Sequence, residues 1–169
     1  GGGVIRDVLL GWFPPRMFTS YAYVAIAVAS ALLVFLDACI RRERYRQNRD
    51  KLDSVVNVFD ALGLGVFTVS GVQMAIDQYG MGNPFLLVLM GMTTGVGGGM
   101  LRDVLIDAMP KVLRKRIYAV ASIVGAIGYY LLLRFGVDQT LSTIIITVLI
   151  TALRILATVF KWNMPQAKL

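Results

Sequence analysis

The sequence predicts an all-α, polytopic membrane protein: two inverted three-helix repeats plus a seventh helix, with the first helix and half of the second absent from this chain. Three observations predict it. The 169 residues are 57% hydrophobic with a mean hydropathy of +0.69, more apolar and less charged than a soluble domain of this length. The apolar residues fall in runs long enough to cross a bilayer as helices. The opening Gly1-Gly2-Gly3-Val4-Ile5-Arg6-Asp7-Val8-Leu9-Leu10 returns 96 positions later as Gly97-Gly98-Gly99-Met100-Leu101-Arg102-Asp103-Val104-Leu105-Ile106, and the same offset aligns Pro14 with Pro110 and Val24-Ala25 with Val120-Ala121. A doubled motif of this kind marks an internal duplication.

Composition narrows the function. Cys39 is the one cysteine and there is no histidine, which leaves neither an internal disulfide nor a structural zinc site nor a Ser-His arrangement. No nucleophile–base pair is visible, so an enzyme is the least expected class. The net charge of +7 has a simpler cause than nucleic acid: basic loops facing the cytoplasm and anionic lipid.

Taken in order, Val4 to Trp12 reads as the second half of a broken helix, ended by Pro14-Pro15. The second copy has an apolar lead-in, Phe85 to Val96, that the first lacks. Hence the expectation of a missing N-terminal segment. Tyr21 to Leu36 is a helix with Tyr21 and Tyr23 at the interface. The run from Arg41 to Lys51 holds six of the 17 basic residues and should be cytoplasmic, with anionic lipid head groups as one further role. Val55 to Ala75 is a helix whose Asp60, Gly63, Phe67, Ser70 and Gly71 form a small-and-polar stripe that either packs on a neighbour or faces water. A polar turn from Asp77 to Pro84 leads into a helix from Phe85 to Leu101, expected to break at Gly97, Gly98 and Gly99. Met109 to Arg116 is a second basic loop. Ile117 to Leu133 and Leu141 to Phe160 are the last two spans, the latter carrying Arg154. The tail from Lys161 to Leu169 is an interfacial anchor. In domains, residues 1–40 complete the first repeat, 41–54 are the basic cytoplasmic linker, 55–136 are the second repeat, and 137–169 are the final helix and tail.

Orientation follows from charge. With 41–51 cytoplasmic, 14 basic residues fall inside and three (Arg6, Arg16 and Arg134) outside, as the positive-inside rule requires. This puts the Arg6-Asp7 end outside and the Arg102-Asp103 end inside, so the repeats are inverted, each has three helices, and the C-terminus is cytoplasmic.

Inverted repeats with broken helices place a site at the bilayer midplane. Carbonyls of Gly1–Gly3 and Gly97–Gly99 suit a cation, and the N–H groups of the following half-helices suit an anionic group. The alternative for these glycines is close helix packing. Asp7, Asp60 and Asp103 are costly if unpaired, with Arg6, Arg102 and Arg154 available. Sequence neighbours do not face each other on a helix, so Asp103 is expected to pair across helices with Arg154. These charges either line a path or form structural ion pairs. Thr93, Thr94 and Ser70 offer hydroxyls to a wet path or bonds within their own helices.

The two copies of Gly-Gly-Gly-x-x-Arg-Asp, each followed by proline, together with Asp60-x-x-Gly63-Leu64-Gly65-Val66-Phe67-Thr68-Val69-Ser70-Gly71, resemble the prokaryotic trimeric intracellular cation (TRIC) channel family, which shares its duplicated domain with bacterial membrane proteins proposed to carry glycine. The resemblance implies seven helices and a homotrimer in the prokaryotic inner membrane. It also implies a potassium-conducting pore in each subunit, kinked at Gly1–Gly3 and Gly97–Gly99, and no cofactor. The alternative is a secondary transporter of glycine or another small amino acid.

Overall fold

The computed structural model describes residues 1–19, 21–41, 49–114 and 117–160. Arg42 to Asn48 of the basic linker, Lys115 and Arg116 of the second basic loop, and the tail from Lys161 lie outside the described residues.

Every described element is helical or a turn between helices: α1 (Gly2–Leu9), α2 (Arg16–Thr19), α3 (Tyr21–Ile40), α4 (Arg49–Tyr79), α5 (Pro84–Leu105), α6 (Lys111–Arg114), α7 (Ile117–Arg134) and α8 (Gln139–Val159). Four have the length and apolarity to cross a membrane: Ser54–Tyr79 within α4, then α5, α7 and α8. The protein is a multi-pass membrane protein.

Local chemistry sets the boundaries. Asn83 caps α5 by accepting from the Leu86 N–H at 3.1 Å, with Pro84 in the first turn, where its missing N–H is not needed. Asp138 caps α8 in the same way, accepting from Leu141 N–H at 3.0 Å. α1 ends earlier than the proline pair predicts. Gly11 turns left-handed at φ +77°, and Trp12 N–H reaches back to the Asp7 carbonyl at 2.8 Å, so Trp12 lies beyond the helix.

α4, α5, α7 and α8 pack as one bundle, with α1 lying against α5 and touching α4. Its core is built around Leu64, Val72, Leu87, Tyr129, Ile146 and Ile150. Lipid is as apolar as these side chains, so close packing and small residues must hold such helices together. The α4–α5 seam does this with glycine and threonine. A Cβ on Gly71 would stand 2.5 Å from Thr94 Oγ1 and 2.6 Å from the Met90 carbonyl, and one on Gly91 would stand 2.5 Å from Val72 Cγ2. Thr68 Oγ1 meets Ser122 Oγ at 2.8 Å, tying α4 to α7.

The stripe read at Asp60, Gly63, Phe67, Ser70 and Gly71 packs on a neighbour at Gly71, which meets α5, and is corrected at Phe67, which is exposed. The packed face of α4 runs through Ala61, Leu64, Thr68, Val72 and Ala75, about one position round the helix, and Phe67 points outward. This gives a two-signed test. Gly71→Ala is expected to cost ~1–3 kcal/mol by overpacking. Gly63→Ala, whose Cβ would meet only Phe67 of its own helix at 3.7 Å, should be neutral or gain up to about 1 kcal/mol from helix propensity. Thermal melts of the two variants in detergent check the sign of each.

α3 differs from the other long helices. Among the described residues it packs only against α2, and Ile26, Leu33, Phe35 and Ile40 are all exposed.

The duplication persists to the level of single hydrogen bonds. Leu10, Gly11 and Trp12 N–H groups donate to the carbonyls of Arg6, Val8 and Asp7. Ninety-six residues on, Ile106, Asp107 and Ala108 donate to Arg102, Val104 and Asp103. The left-handed Gly11 is matched by left-handed Asp107 at φ +53°. The copies point in opposite directions. The end of α1 is fixed by Gln78 Nε2 donating to the Leu10 carbonyl at 2.9 Å, and the end of α5 by Arg102 on Asp60 at 3.3 Å. Asp60 and Gln78 are 18 residues apart on α4, about 27 Å of helix rise, so the two Arg-Asp ends lie near opposite ends of one spanning helix.

Candidate functional site

The two copies of the motif meet where α1 crosses α5. A Cβ on Gly1 would stand 2.8 Å from Gly98 Cα, and one on Gly97 would stand 3.4 Å from Gly2 Cα. A Cβ on Gly2 would overlap the carbonyl oxygen of Thr94. This corrects the expected break. α5 is a single α-helix from Pro84 to Leu105 and does not part at Gly97–Gly99. Glycine costs a helix about 1 kcal/mol each, a cost that backbone-to-backbone packing across the crossing offsets. The Gly1 carbonyl is taken as well, by Val4 and Ile5 N–H at 3.1 and 3.3 Å. The packing reading of the glycines thus accounts for Gly1, Gly2, Gly97 and Gly98.

The third glycine of each copy has a different task. A helical side chain leans back toward the N-terminus, over the residue three or four before it. Arg6 folds over Gly3, where a Cβ would stand 3.5 Å from Arg6 Nη2. Arg102 lies over Gly99 in the same way, with a Cβ there 3.9 Å from Arg102 Nη2 and 3.2 Å from the Tyr118 hydroxyl. Folded back, each arginine reaches the aspartate beside it. Arg6 donates from Nε at 2.9 Å and Nη2 at 2.6 Å to Asp7 Oδ1. Arg102 repeats this on Asp103 Oδ1 from Nε at 3.0 Å and Nη2 at 2.9 Å. The expectation that sequence neighbours cannot pair, and that Asp103 turns to Arg154, is corrected: the arginine side chain is long enough to curl round to its neighbour, and Arg154 lies by Asp60 instead.

The two pairs end differently. Asp7 Oδ2 accepts the backbone N–H of Arg16 at 2.9 Å, and Arg6 and Asp7 are both buried. At the other end Arg102 is half exposed and spans two carboxylates, Asp103 and Asp60. Asp60 Oδ2 faces Arg154 Nη2 at 3.6 Å, and both of those side chains are buried. Arg154 Cζ lies 4.4 Å from the centre of the Tyr118 ring, a cation–π contact. α4, α5, α7 and α8 each contribute to this cluster.

The predicted hydroxyls are occupied locally. Thr94 Oγ1 donates to the Met90 carbonyl at 2.6 Å, and Thr93 Oγ1 to Leu89 at 2.8 Å. Ser70 is half-buried on α4. Tyr118 and Ser122 escaped notice in the sequence, and Thr68 entered it only as part of the α4 motif. Tyr118 opens α7 like any interfacial aromatic, and nothing in its spacing ties it to Arg154.

The chain matches the family model described as glycine transporter over residues 1–38 and 57–134. It is 36% identical over 134 residues to a UPF0126 membrane protein of Deinococcus radiodurans, covering 78% of this chain and 58% of that protein. A UPF0126 membrane protein of Vibrio cholerae is 33% identical over 166 residues, 97% of this chain and 64% of the relative. The inner membrane protein YadS of Escherichia coli is 37% identical over 75% of this chain and 57% of its own length. The chain thus spans about three-fifths of these relatives, none of which is described as an enzyme. Among solved structures, one from work on conductance through TRIC cation channels is 31% identical with a TM-score of 0.84, covering 100% of this chain and 78% of that one. The TRIC orthologue from Rhodobacter sphaeroides is 31% identical with a TM-score of 0.81 and 96% and 78% coverage. By the family model and by this likeness, the chain belongs to the family that the glycine transporter description covers and that takes in the prokaryotic TRIC channels.

Proposed function

We propose that the protein conducts monovalent cations, potassium foremost, along a path within each subunit beside the α1–α5 crossing. The observation that carries this reading is whole-chain likeness, at 31% identity, to a structure described as a TRIC cation channel. The inverted Arg-Asp ends agree with it: charge is kept at both ends of the fold but neutralised in pairs, which is how ionisable groups are tolerated near hydrocarbon. The same reading assigns residues 1–40 and 55–136 as the two repeats, 41–54 as a cytoplasmic linker and 137–169 as the final helix with a cytoplasmic tail. It also assigns a homotrimer in a prokaryotic inner membrane, in contact with anionic lipid and using no cofactor. A secondary transporter of glycine is the second reading, favoured by the description of the matching family.

Full-length protein in planar bilayers under asymmetric potassium chloride tests it. Discrete openings that reverse near the potassium equilibrium potential are expected. Silent bilayers holding folded protein, with saturable uptake of labelled glycine into vesicles, would replace the channel by the carrier.

A further inference from the structure

Arg154 has fewer partners than its burial demands. Its side chain is 3% exposed, yet among the described residues its buried Nε has no hydrogen-bond partner. Its charged and ring contacts among the described residues are the 3.6 Å approach to Asp60 and the face of Tyr118. Buried polar groups are normally hydrogen-bonded, and an exception asks for a reason. Arg102 supplies the contrast. It faces outward, donates twice to Asp103 and still reaches Asp60. The Asp60 carboxylate therefore sits between two cations, one firmly placed and open to the outside, the other loosely placed and enclosed.

We infer that Arg154 is a specificity-determining residue of the conduction path: a tethered cation seated at the Asp60 carboxylate, which a permeant monovalent cation displaces as it passes. This rests on the channel reading above. A guanidinium held by one long ion pair and a ring face gives up its place more easily than one held by a bidentate pair. It competes with cations for Asp60 and repels a second cation from the same place. Asp60 supplies the attraction, Arg154 sets how strongly it is felt, and Tyr118 holds Arg154 in position.

The test compares full-length wild type, Arg154→Gln, the double variant Asp60→Asn/Arg154→Gln, and Tyr118→Leu in planar bilayers, each confirmed folded by a monodisperse gel-filtration profile. Arg154→Gln is expected to raise potassium conductance several-fold and to sharpen selectivity for potassium over chloride. The double variant should lose both gains, because the carboxylate is gone. Tyr118→Leu should move conductance the same way as Arg154→Gln by a smaller amount, and it decides the matter if Arg154→Gln does not fold. A folded Arg154→Gln with wild-type conductance and selectivity overturns the inference, as does a double variant that behaves like Arg154→Gln. An unaltered Tyr118→Leu, where it alone folds, overturns it too. Silence of the wild type would remove the channel reading and this inference with it, whereas an active wild type beside an unaltered Arg154→Gln removes the inference alone.

Discussion

Asp7→Ala is expected to cost ~3–5 kcal/mol, because it leaves the buried Arg6 guanidinium without its partner. Asp7 accepts three hydrogen bonds, two from Arg6 and one from the Arg16 backbone. The Arg6 and Asp7 side chains are 8% and 3% exposed, so water cannot replace the lost bonds. Asp103 occupies the same place in the second copy, and Asp103→Ala should cost much less. Arg102 is 42% exposed, keeps Asp60, and can turn to solvent, where such pairs are worth about 1 kcal/mol or less. The removal of both charges at the first site, as Arg6→Met/Asp7→Leu, should recover most of the loss, since the penalty comes from the orphaned charge and not from the pair. Chemical unfolding followed by circular dichroism would give the three values. Equal losses from Asp7→Ala and Asp103→Ala would refute this account of the two ends.

That inequality could not be read from the sequence, where the motifs are alike. The class, the spans, the duplication and its inversion were legible, because each rests on a pattern that one segment carries alone: apolar length, repeated residues, the side of the basic loops. Helix existence was clear for the same reason. The errors concern what a residue meets in space. Triple glycine in one segment looks like a break. Only the partner helix shows that Gly97 and Gly98 are bare so that Gly1 and Gly2 can approach. The Arg-Asp neighbours looked unable to pair because helical spacing was judged at Cβ, while the contact is made by an arginine tip lying over Gly3 or Gly99. The glycine–arginine spacing of three was present in both copies and could have suggested that fold-back. The packed face of α4 was read correctly at Gly71 but misplaced at Phe67, which was grouped with the small residues although its ring turns outward.

The crossing of α1 over α5 leads to the second large effect. The three glycines of the first copy are alike in sequence and unequal in surroundings. A Cβ on Gly2 would overlap the Thr94 carbonyl oxygen and stand 3.1 Å from Gly98 N. Both are backbone atoms of a continuous helix, which cannot rotate aside as a side chain can. A Cβ on Gly3 would meet the end of Arg6 at 3.5 Å, an ordinary contact. A Cβ on Gly98, approached from the other helix, would meet Gly2 N at 3.3 Å, which a small shift relieves. Gly2→Ala is therefore expected to cost ~3 kcal/mol or more, at the upper end of overpacking penalties, and to separate α1 from α5. Gly98→Ala should cost clearly less and Gly3→Ala least, the latter gaining some helix propensity. In full-length protein the apparent melting temperature should fall in the order Gly2, Gly98, Gly3. If the crossing also borders the cation path, conductance should be lost in the same order. A Gly2→Ala protein as stable as Gly3→Ala would mean that the two helices do not approach this closely in the membrane.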